Sequence, residues 1–528
     1  MSAHPLAAEL RSARAALRNH PRIGAVIART ACFNVASAAA AALSGIIVAR
    51  AVGPAVRGEY AAVTAWFGLL LMAGGVGQPA AVCFYVARYP QRARGYVATS
   101  RTMLLATGAV VLLAGLAGAP LLAHGNPGLT EAYRIAFASS VIAFVGASYT
   151  FALQARDTRR WNLVRVSQPL LALAAITLLW RLRLLTLHTA IGVMAVTMAI
   201  QLGYAYYWCR RTGLAPGSAA TQLVAPLARY GLSQLAAVTP ATVNAYLDQL
   251  VLSQLVPPAA LGCYAIAVSA TLVPVPLVSA IGNVAFPQLA ARRGGTAGSM
   301  RLQLTAVTAS AGLAAAVLLP IAGCAYWLIP AVFGPAYRAA VPLLWLLTPG
   351  GIFLACGQVA GDLLRGAGRP GLVAVSQGLA AVFTVILLVT LLPVMGVAAA
   401  AVASTVAYGI ALAAMLRCLH RASRPTEREG NLCALVSSVR PRRTHSRTTS
   451  SPRWPTWGTT PCRSARCTRA AATTPQRSSW PSGMRCPPST SARSGGSRPR
   501  RSAPGARLSS TPTRGSCPPS CVTCAGPG

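Results

Sequence analysis

Arg365-Gly-Ala-Gly-Arg-Pro-Gly-Leu-Val-Ala-Val-Ser-Gln377 repeats an earlier stretch of the same chain, Arg156–Gln168. Arg156 matches Arg365 and Arg160 matches Arg369. Leu163-Val164 matches Leu372-Val373, and Val166-Ser167-Gln168 matches Val375-Ser376-Gln377. The offset is 209 residues. A second pair has nearly the same spacing: Pro54-Ala55-x-x-Gly58-x-Tyr60-Ala61 recurs as Pro258-Ala259-x-x-Gly262-x-Tyr264-Ala265, 204 residues later. Two matches in the same order at one spacing point to a duplicated unit of about 200 residues. That is too long for a solenoid repeat and suits the two halves of a transporter.

Composition places this duplication in a membrane. The chain has 528 residues, 54% of them hydrophobic and only 10% charged, where soluble domains carry about a quarter charged residues. Apolar runs near 30–49, 60–80, 102–122, 134–154, 164–181, 187–208, 230–254, 263–285, 303–329, 341–362, 371–392 and 395–416 are each long enough to cross a bilayer, which takes roughly 20 helical residues. The expected fold is therefore an all-α polytopic membrane protein of about twelve transmembrane helices, in two pseudo-symmetric six-helix bundles. Six spans is an even number, so both halves enter from the same side. The axis relating them then lies along the membrane normal, with a central cavity between the bundles.

All 47 basic residues are arginine. Between the runs they alternate by side. One side holds Arg11, Arg14, Arg18, Arg22 and Arg29; Arg88, Arg92, Arg94 and Arg101; Arg156, Arg159, Arg160 and Arg165; Arg210, Arg211 and Arg229; Arg292, Arg293 and Arg301; Arg365 and Arg369; and Arg417, Arg421 and Arg424. The other holds only Arg50, Arg57, Arg134, Arg181, Arg183 and Arg338. The positive-inside rule makes the first side cytoplasmic and puts both termini there, in a cytoplasmic membrane. No basic stripe interleaves with aromatics on a soluble domain, so the net charge of +39 does not indicate nucleic acid.

The expected organisation is a cytoplasmic basic leader (1–28), an N-terminal six-helix bundle (29–211), a cytoplasmic linker (212–229), a C-terminal six-helix bundle (230–417) and a tail (418–528). The leader lacks the apolar core and cleavage site of a signal peptide. Beyond Pro425 the composition turns abruptly to Arg, Ser, Pro, Thr, Gly and Cys, too polar to bury a core. It fits either a disordered cytoplasmic tail or an out-of-frame translation of GC-rich DNA.

An ionisable group inside a membrane span is a functional candidate by default, because a charge there costs about 2.5–3.5 kcal/mol on insertion scales. Asp248 is the foremost. Asn244 lies one helical turn before it on the same face, which is expected to look into the cavity; an interfacial position for Asp248 is the plainer alternative. Asp362 stands beside Arg365 and Arg369 at the inner end of span ten, and Asp157 stands beside Arg156 and Arg160 in the first half. Local ion pairs fixing the loops are one reading. Contact with a lipid-borne phosphate, which suits the planar arginine fork, is the other. Asn34, Gln78 and Asn283 are isolated polar groups in apolar runs, available for helix-to-helix hydrogen bonds or for lining a hydrated cavity. Pro240, Pro274, Pro276 and Pro287 mark places for helix kinks. No nucleotide-binding loop, no Gly-x-Ser-x-Gly and no metal-spaced His/Asp/Cys cluster occurs in the apolar part, so no cofactor and no enzyme activity is expected.

Val48-Ala49-Arg50-Ala51-Val52-Gly53-Pro54-x-x-Arg57-Gly58-Glu59-Tyr60 resembles the end of span one in polysaccharide flippases. Phe333-Gly334-Pro335-Ala336-Tyr337 and Leu363-Leu364-Arg365-Gly366-Ala367-Gly368-Arg369-Pro370 resemble later motifs, and Asp248-Gln249-Leu250-Val251-Leu252 looks like the Asp-centred stretch of span seven. Over roughly residues 29–417 the chain is similar to the lipid-linked oligosaccharide flippase branch of the multidrug/oligosaccharidyl-lipid/polysaccharide exporter superfamily. That resemblance implies two six-helix bundles around a cavity and movement of a polyprenyl-diphosphate-linked oligosaccharide to the outer face. It also implies membrane lipids, a coupling proton or sodium ion, and polysaccharide polymerase and glycosyltransferases as partners. The rivals are a cation-coupled multidrug antiporter, a peptidoglycan-precursor flippase, usually with two further spans, and a non-transporting scaffold for glycan assembly.

Overall fold

Backbone polar groups that enter hydrocarbon must be bonded within the protein, so apolar runs of this length fold as helices. The computed structural model describes residues 21–423, apart from 215–216, 292–296 and 368, and among these residues all regular structure is α-helix with short 3₁₀ turns. In the first half the helices are α1 (Pro21–Gly75), α2 (Gln78–Arg88), α3 (Ala93–Leu122), α4 (Pro127–Arg156), α5 (Thr158–Arg181) and α6 (Leu187–Arg211). The second half holds α7 (Val224–Leu255), α8 (Pro258–Thr271), α9 (Val275–Ala291), α10 (Ala297–Gly323), α11 (Ala325–Phe333), α12 (Ala340–Gly366), α13 (Pro370–Met395) and α14 (Val397–Ser423). The protein is an all-α polytopic membrane protein in two helical bundles.

Ten helical stretches among the described residues are long and apolar enough to cross a membrane. The first of them, Arg29–Gly75, is 47 residues long, or about 70 Å at helical rise, which is more than twice the roughly 30 Å hydrocarbon thickness. It is broken at Gly53, whose φ of 76° lies in the left-handed region and turns the chain between two arms of α1. The two arms are two spans. α7 is a further 32-residue helix, less apolar than these ten because it carries Arg229, Gln234, Asn244, Asp248, Gln249 and Gln254. These two circumstances account for the twelve spans that the sequence predicts.

Several boundaries differ from expectation. α1 begins at Pro21, inside the expected leader, and α7 begins at Val224, inside the expected linker. Span two ends at Gly75, so Gln78 opens the separate helix α2. Span eight is interrupted between Thr271 and Val275, around Pro274, and α10 gives way to α11 at Cys324. α7, by contrast, runs continuously through Pro240. The leader up to residue 20 and the tail from residue 424 lie outside the described residues, as do the side chains of Arg292, Arg293 and Pro287.

The repeated Pro-Ala-x-x-Gly motifs meet each other. A Cβ on Gly58 would lie 1.8 Å from the Pro258 carbonyl oxygen, and one on Gly262 would lie 2.0 Å from the Pro54 carbonyl oxygen. Each motif thus presents its proline carbonyl to the other's glycine. Such reciprocity is the contact of a two-fold relation, and only glycine admits backbones this close. Around it Ala49, Ala61 and Ala62 of the first half share one buried cluster with Leu252, Leu261, Tyr264, Ala265 and Leu344 of the second. Small residues allow that approach where no hydrophobic force separates lipid from protein.

A second seam joins the halves further along the second arm of α1 and into α2. The Trp66 indole N–H donates to Ser253 Oγ at 3.1 Å, Thr239 Oγ1 to Met72 Sδ at 3.7 Å, and Gln78 Nε2 to the Leu227 carbonyl at 3.5 Å. As residue numbers rise in α1 and α2 they fall in α7, so the second arm and α7 run antiparallel. The first arm runs parallel to α5, from the Asn162 Nδ2 bond to Thr30 Oγ1 at one end (2.9 Å) to the neighbourhood of Arg50 and Arg181 at the other.

Candidate functional site

A carboxylate in a span must find donors within the protein, because water is scarce there. Asp248 is 3% exposed and finds them on three elements. Its Oδ2 accepts a short hydrogen bond from the Tyr264 hydroxyl on α8 and one from Ser404 Oγ on α14 at 3.3 Å. Its Oδ1 lies 2.7 Å from the Gln249 amide. Asn244, one turn earlier, shares this face as the spacing requires and is equally buried. Its Nδ2 donates to Gln377 Oε1 at 3.4 Å, and its Oδ1 accepts from Thr384 Oγ1 at 3.1 Å, both on α13.

The face carrying Asn244 and Asp248 therefore looks into the second bundle, against α8, α13 and α14. The expected opening onto a space between the bundles is not what surrounds these two side chains. Two of these partners, Tyr264 and Gln377, stand in the repeated sequence motifs, and Tyr264 repeats Tyr60. One repeat period of 204 residues before Asp248 stands Ser44, a buried hydroxyl bonded to the Ala40 carbonyl at 2.8 Å. The charge is thus present in one half and replaced by a neutral group in the other.

The two bonds made by Asn244 tie α7 to α13. Interhelical hydrogen bonds in membranes average about 0.6 kcal/mol, so Asn244→Ala is expected to lower stability by about 1 kcal/mol. Thermal melting of the detergent-solubilised protein would show this as a small drop, and an unchanged melting temperature would mean the bonds contribute nothing.

The other candidates are dispersed. Gln78 is buried between α2, α3 and α7, where it accepts from Ser100 Oγ at 3.0 Å and donates to Leu227. Its contacts are those of helix-to-helix bonding. Asn34 is exposed on the first arm of α1. Asn283 lies on α9, and its side chain is outside the described residues.

Asp157 caps α5: its Oδ1 accepts from the Arg159 and Arg160 amides at 3.0 and 3.1 Å, and its Oδ2 pairs with Arg160 Nε at 3.2 Å. The Arg160 guanidinium also lies 4.6 Å from the Trp208 ring centroid. Asp362 pairs with Arg365 Nη1 at 2.6 Å and packs against Gly282 of α9. Both carboxylates thus form local ion pairs, the plainer of the two expectations. Arg156, Arg365 and Arg369 remain exposed. Among the described residues no hydrogen bond or ion pair joins the Asp157 group to the Asp362 group, and no group of three His, Cys, Asp or Glu is arranged to hold a metal.

With this geometry in view, residues 26–291 match the model of a family described as polysaccharide biosynthesis protein. No curated protein sequence matches the chain significantly. Among solved structures, the fold is similar to an inward-facing multidrug resistance MATE family transporter of the MOP superfamily (TM-score 0.61, 15% identity, covering 76% of this chain and 96% of that one). It is also similar to the lipid II flippase MurJ in an inward closed conformation (TM-score 0.61, 12% identity, 74% and 87%). A third similar structure is a MOP superfamily transporter from Pyrococcus furiosus described as having a binding pocket of reverse polarity (TM-score 0.52, 14% identity, 75% and 94%).

Proposed function

Because the chain belongs to the polysaccharide biosynthesis protein family and is a multi-pass transporter of the MOP superfamily, we propose that it moves a polyprenyl-diphosphate-linked oligosaccharide across the cytoplasmic membrane by alternating access. The arginine-rich ends of the helices are cytoplasmic in this reading, and the Gly53 break is external. The observation that carries it is the repeated arginine motif: Arg156 and Arg365, with Arg369, are exposed at corresponding inner helix ends of the two halves. A diphosphate arriving from cytoplasmic synthesis would meet a guanidinium fork from each half. The Asp157–Arg160 pair would hold the loop in the first half, and Asp362 would orient Arg365 itself in the second.

The partners of such a protein are the lipid-linked oligosaccharide, the surrounding lipids, a coupling proton or sodium ion, and the glycosyltransferases and polymerase that act before and after it. Asp248 is the group best suited to coupling, since it is a buried carboxylate held by two hydroxyl donors from different helices. The same carboxylate favours a second reading, a cation-coupled multidrug antiporter.

The test is transbilayer movement of a labelled polyprenyl-diphosphate oligosaccharide in proteoliposomes of the full chain, with and without a proton or sodium gradient. Protein-dependent movement is expected, and Arg365→Ala is expected to lower it about tenfold at unchanged insertion, because an exposed ion pair contributes only about 0–1 kcal/mol to stability. Gradient-driven export of a cationic dye without movement of the glycan lipid would establish the antiporter instead.

A further inference from the structure

The positive-inside rule leaves few arginines on the outer side of the protein. Three of them, Arg50, Arg181 and Arg183, line one cavity of about 560 Å³ together with Ala51, Trp180 and Leu185. No acidic residue lines it. The ion pairs among the described residues are Arg160–Asp157, His188–Glu131 and Arg365–Asp362, so none of the three is neutralised by a carboxylate. Like charges brought together without a counter-charge repel, and they persist where an anion is taken up between them.

The backbone adds a second observation. α5 ends in a paired cap in which the Arg183 amide donates to the Trp180 carbonyl at 3.1 Å and the Leu184 amide to the Leu179 carbonyl at 2.9 Å. The residue following the helix in this cap is left-handed and is usually glycine. Here it is Arg183, with φ of 58°. A side chain in that conformation is strained, and strain of this kind persists where the side chain serves a site. Arg181, in the last turn of α5, is suited to the helix dipole. Arg183, beyond the last turn and at a backbone cost, adds a second cation that the dipole does not require.

The surroundings say what carries the anion. Trp180, which lines the cavity, and Leu178, Leu182 and Leu184, close to the lining residues in sequence, are all exposed. On a membrane protein such a surface faces acyl chains, and tryptophan sits at the headgroup level. We infer that Arg50, Arg181 and Arg183 form a binding site for a lipid-borne phosphate in the outer leaflet, with the lipid chains lying along the exposed Leu178 of α5 and the leucines that follow the helix. The outer placement rests on the orientation proposed above, whereas the binding itself does not depend on transport. Arg50 also donates from Nη1 to the Ala331 carbonyl of the second half at 3.2 Å. Occupancy of the site therefore bears on a residue that bridges the two halves at their outer ends.

Two lipids offer this chemistry: an anionic phospholipid resident in the leaflet, and the polyprenyl diphosphate delivered by transport. The full chain, purified in detergent, would be titrated separately with phosphatidylglycerol, a polyprenyl diphosphate, diacylglycerol and inorganic phosphate, with bound lipid read by native mass spectrometry. Arg183→Gly relieves the left-handed strain while removing the charge, so it should fold at least as well as the parent. Alone it is expected to weaken phosphate-lipid binding about tenfold, and combined with Arg181→Gln about a hundredfold. Arg134→Gln, an exposed outer arginine elsewhere on α4, is expected to change nothing, and diacylglycerol is expected not to bind. Arginine-dependent binding of phosphatidylglycerol alone assigns the site to a resident lipid, and of the polyprenyl diphosphate alone to the delivered one. Equal binding of both lipids supports recognition of the shared phosphate. Binding of inorganic phosphate without either lipid, or equal lipid binding by the parent and the double variant, overturns the inference. Loss of flipping with lipid binding intact would count against the transport proposal and leave this site standing.

Discussion

Gly58→Ala and Gly262→Ala will each open the seam where the two halves cross. A single methyl group at either position would be driven to within about 2 Å of a proline carbonyl oxygen on the other half. That neighbour is backbone at the start of a helix and cannot swing aside as a side chain can. Overpacking of this kind costs about 1–3 kcal/mol, which shifts a two-state equilibrium roughly 5–150-fold. Spin labels at Ala51 and Ala336, exposed positions of the two halves, would report the change by double electron–electron resonance. A population at longer distance should dominate in either variant. Because the contacts are reciprocal, the two substitutions should have similar effects. An unchanged distance distribution in both would mean that the crossing does not hold the halves together.

Asp248→Ala is the second large effect, and stability and transport should move in opposite directions. A charge in a membrane span costs about 2.5–3.5 kcal/mol on insertion scales, so removing it should leave insertion intact or improve it. Transport driven by an ion gradient should fall at least about tenfold if the carboxylate carries the coupling. Asp248→Asn keeps the shape and several hydrogen bonds without the charge and should lose the gradient-driven component equally. Tyr264→Phe removes one donor but leaves Ser404 in place, so its loss should be smaller. Gradient-driven movement by Asp248→Asn at the parental rate would show that the carboxylate is structural.

Sequence patterns expose what is local or repeated. The twelve spans follow from apolar length. The repeat in Pro54–Ala61 and Pro258–Ala265 was visible as a pattern, but only the structure shows that its two copies touch. The breaks were harder to read. The turn at Gly53 falls between the first two expected spans, whereas the left-handed Val76-Gly77 pair interrupts the second of them without a polar loop. The pairing of Asn244 with Asp248 was legible because one helical turn fixes it. Their surroundings were not, since Gln377 and Thr384 lie 133 and 140 residues from Asn244, and Ser404 lies 156 residues from Asp248. Helix-to-helix neighbours at such separations are chosen by packing, which a single sequence does not record. Tyr264 is the exception: a tyrosine inside a duplicated motif, sixteen residues after an intramembrane carboxylate, was a donor waiting to be assigned.

The crossing at Gly58 and Gly262 lies just after the break at Gly53, far from the other ends of the helices that meet there. It has the placement of a fulcrum near one end of a beam. Helices that span the hydrocarbon are about 30 Å long, so a turn of roughly 10° about that point displaces their far ends by about 5 Å while hardly disturbing the pivot. Two carbonyl–glycine contacts of atomic dimensions would then set the leverage of the whole molecule. The travel is greatest at the end where Arg156, Arg365 and Arg369 are displayed.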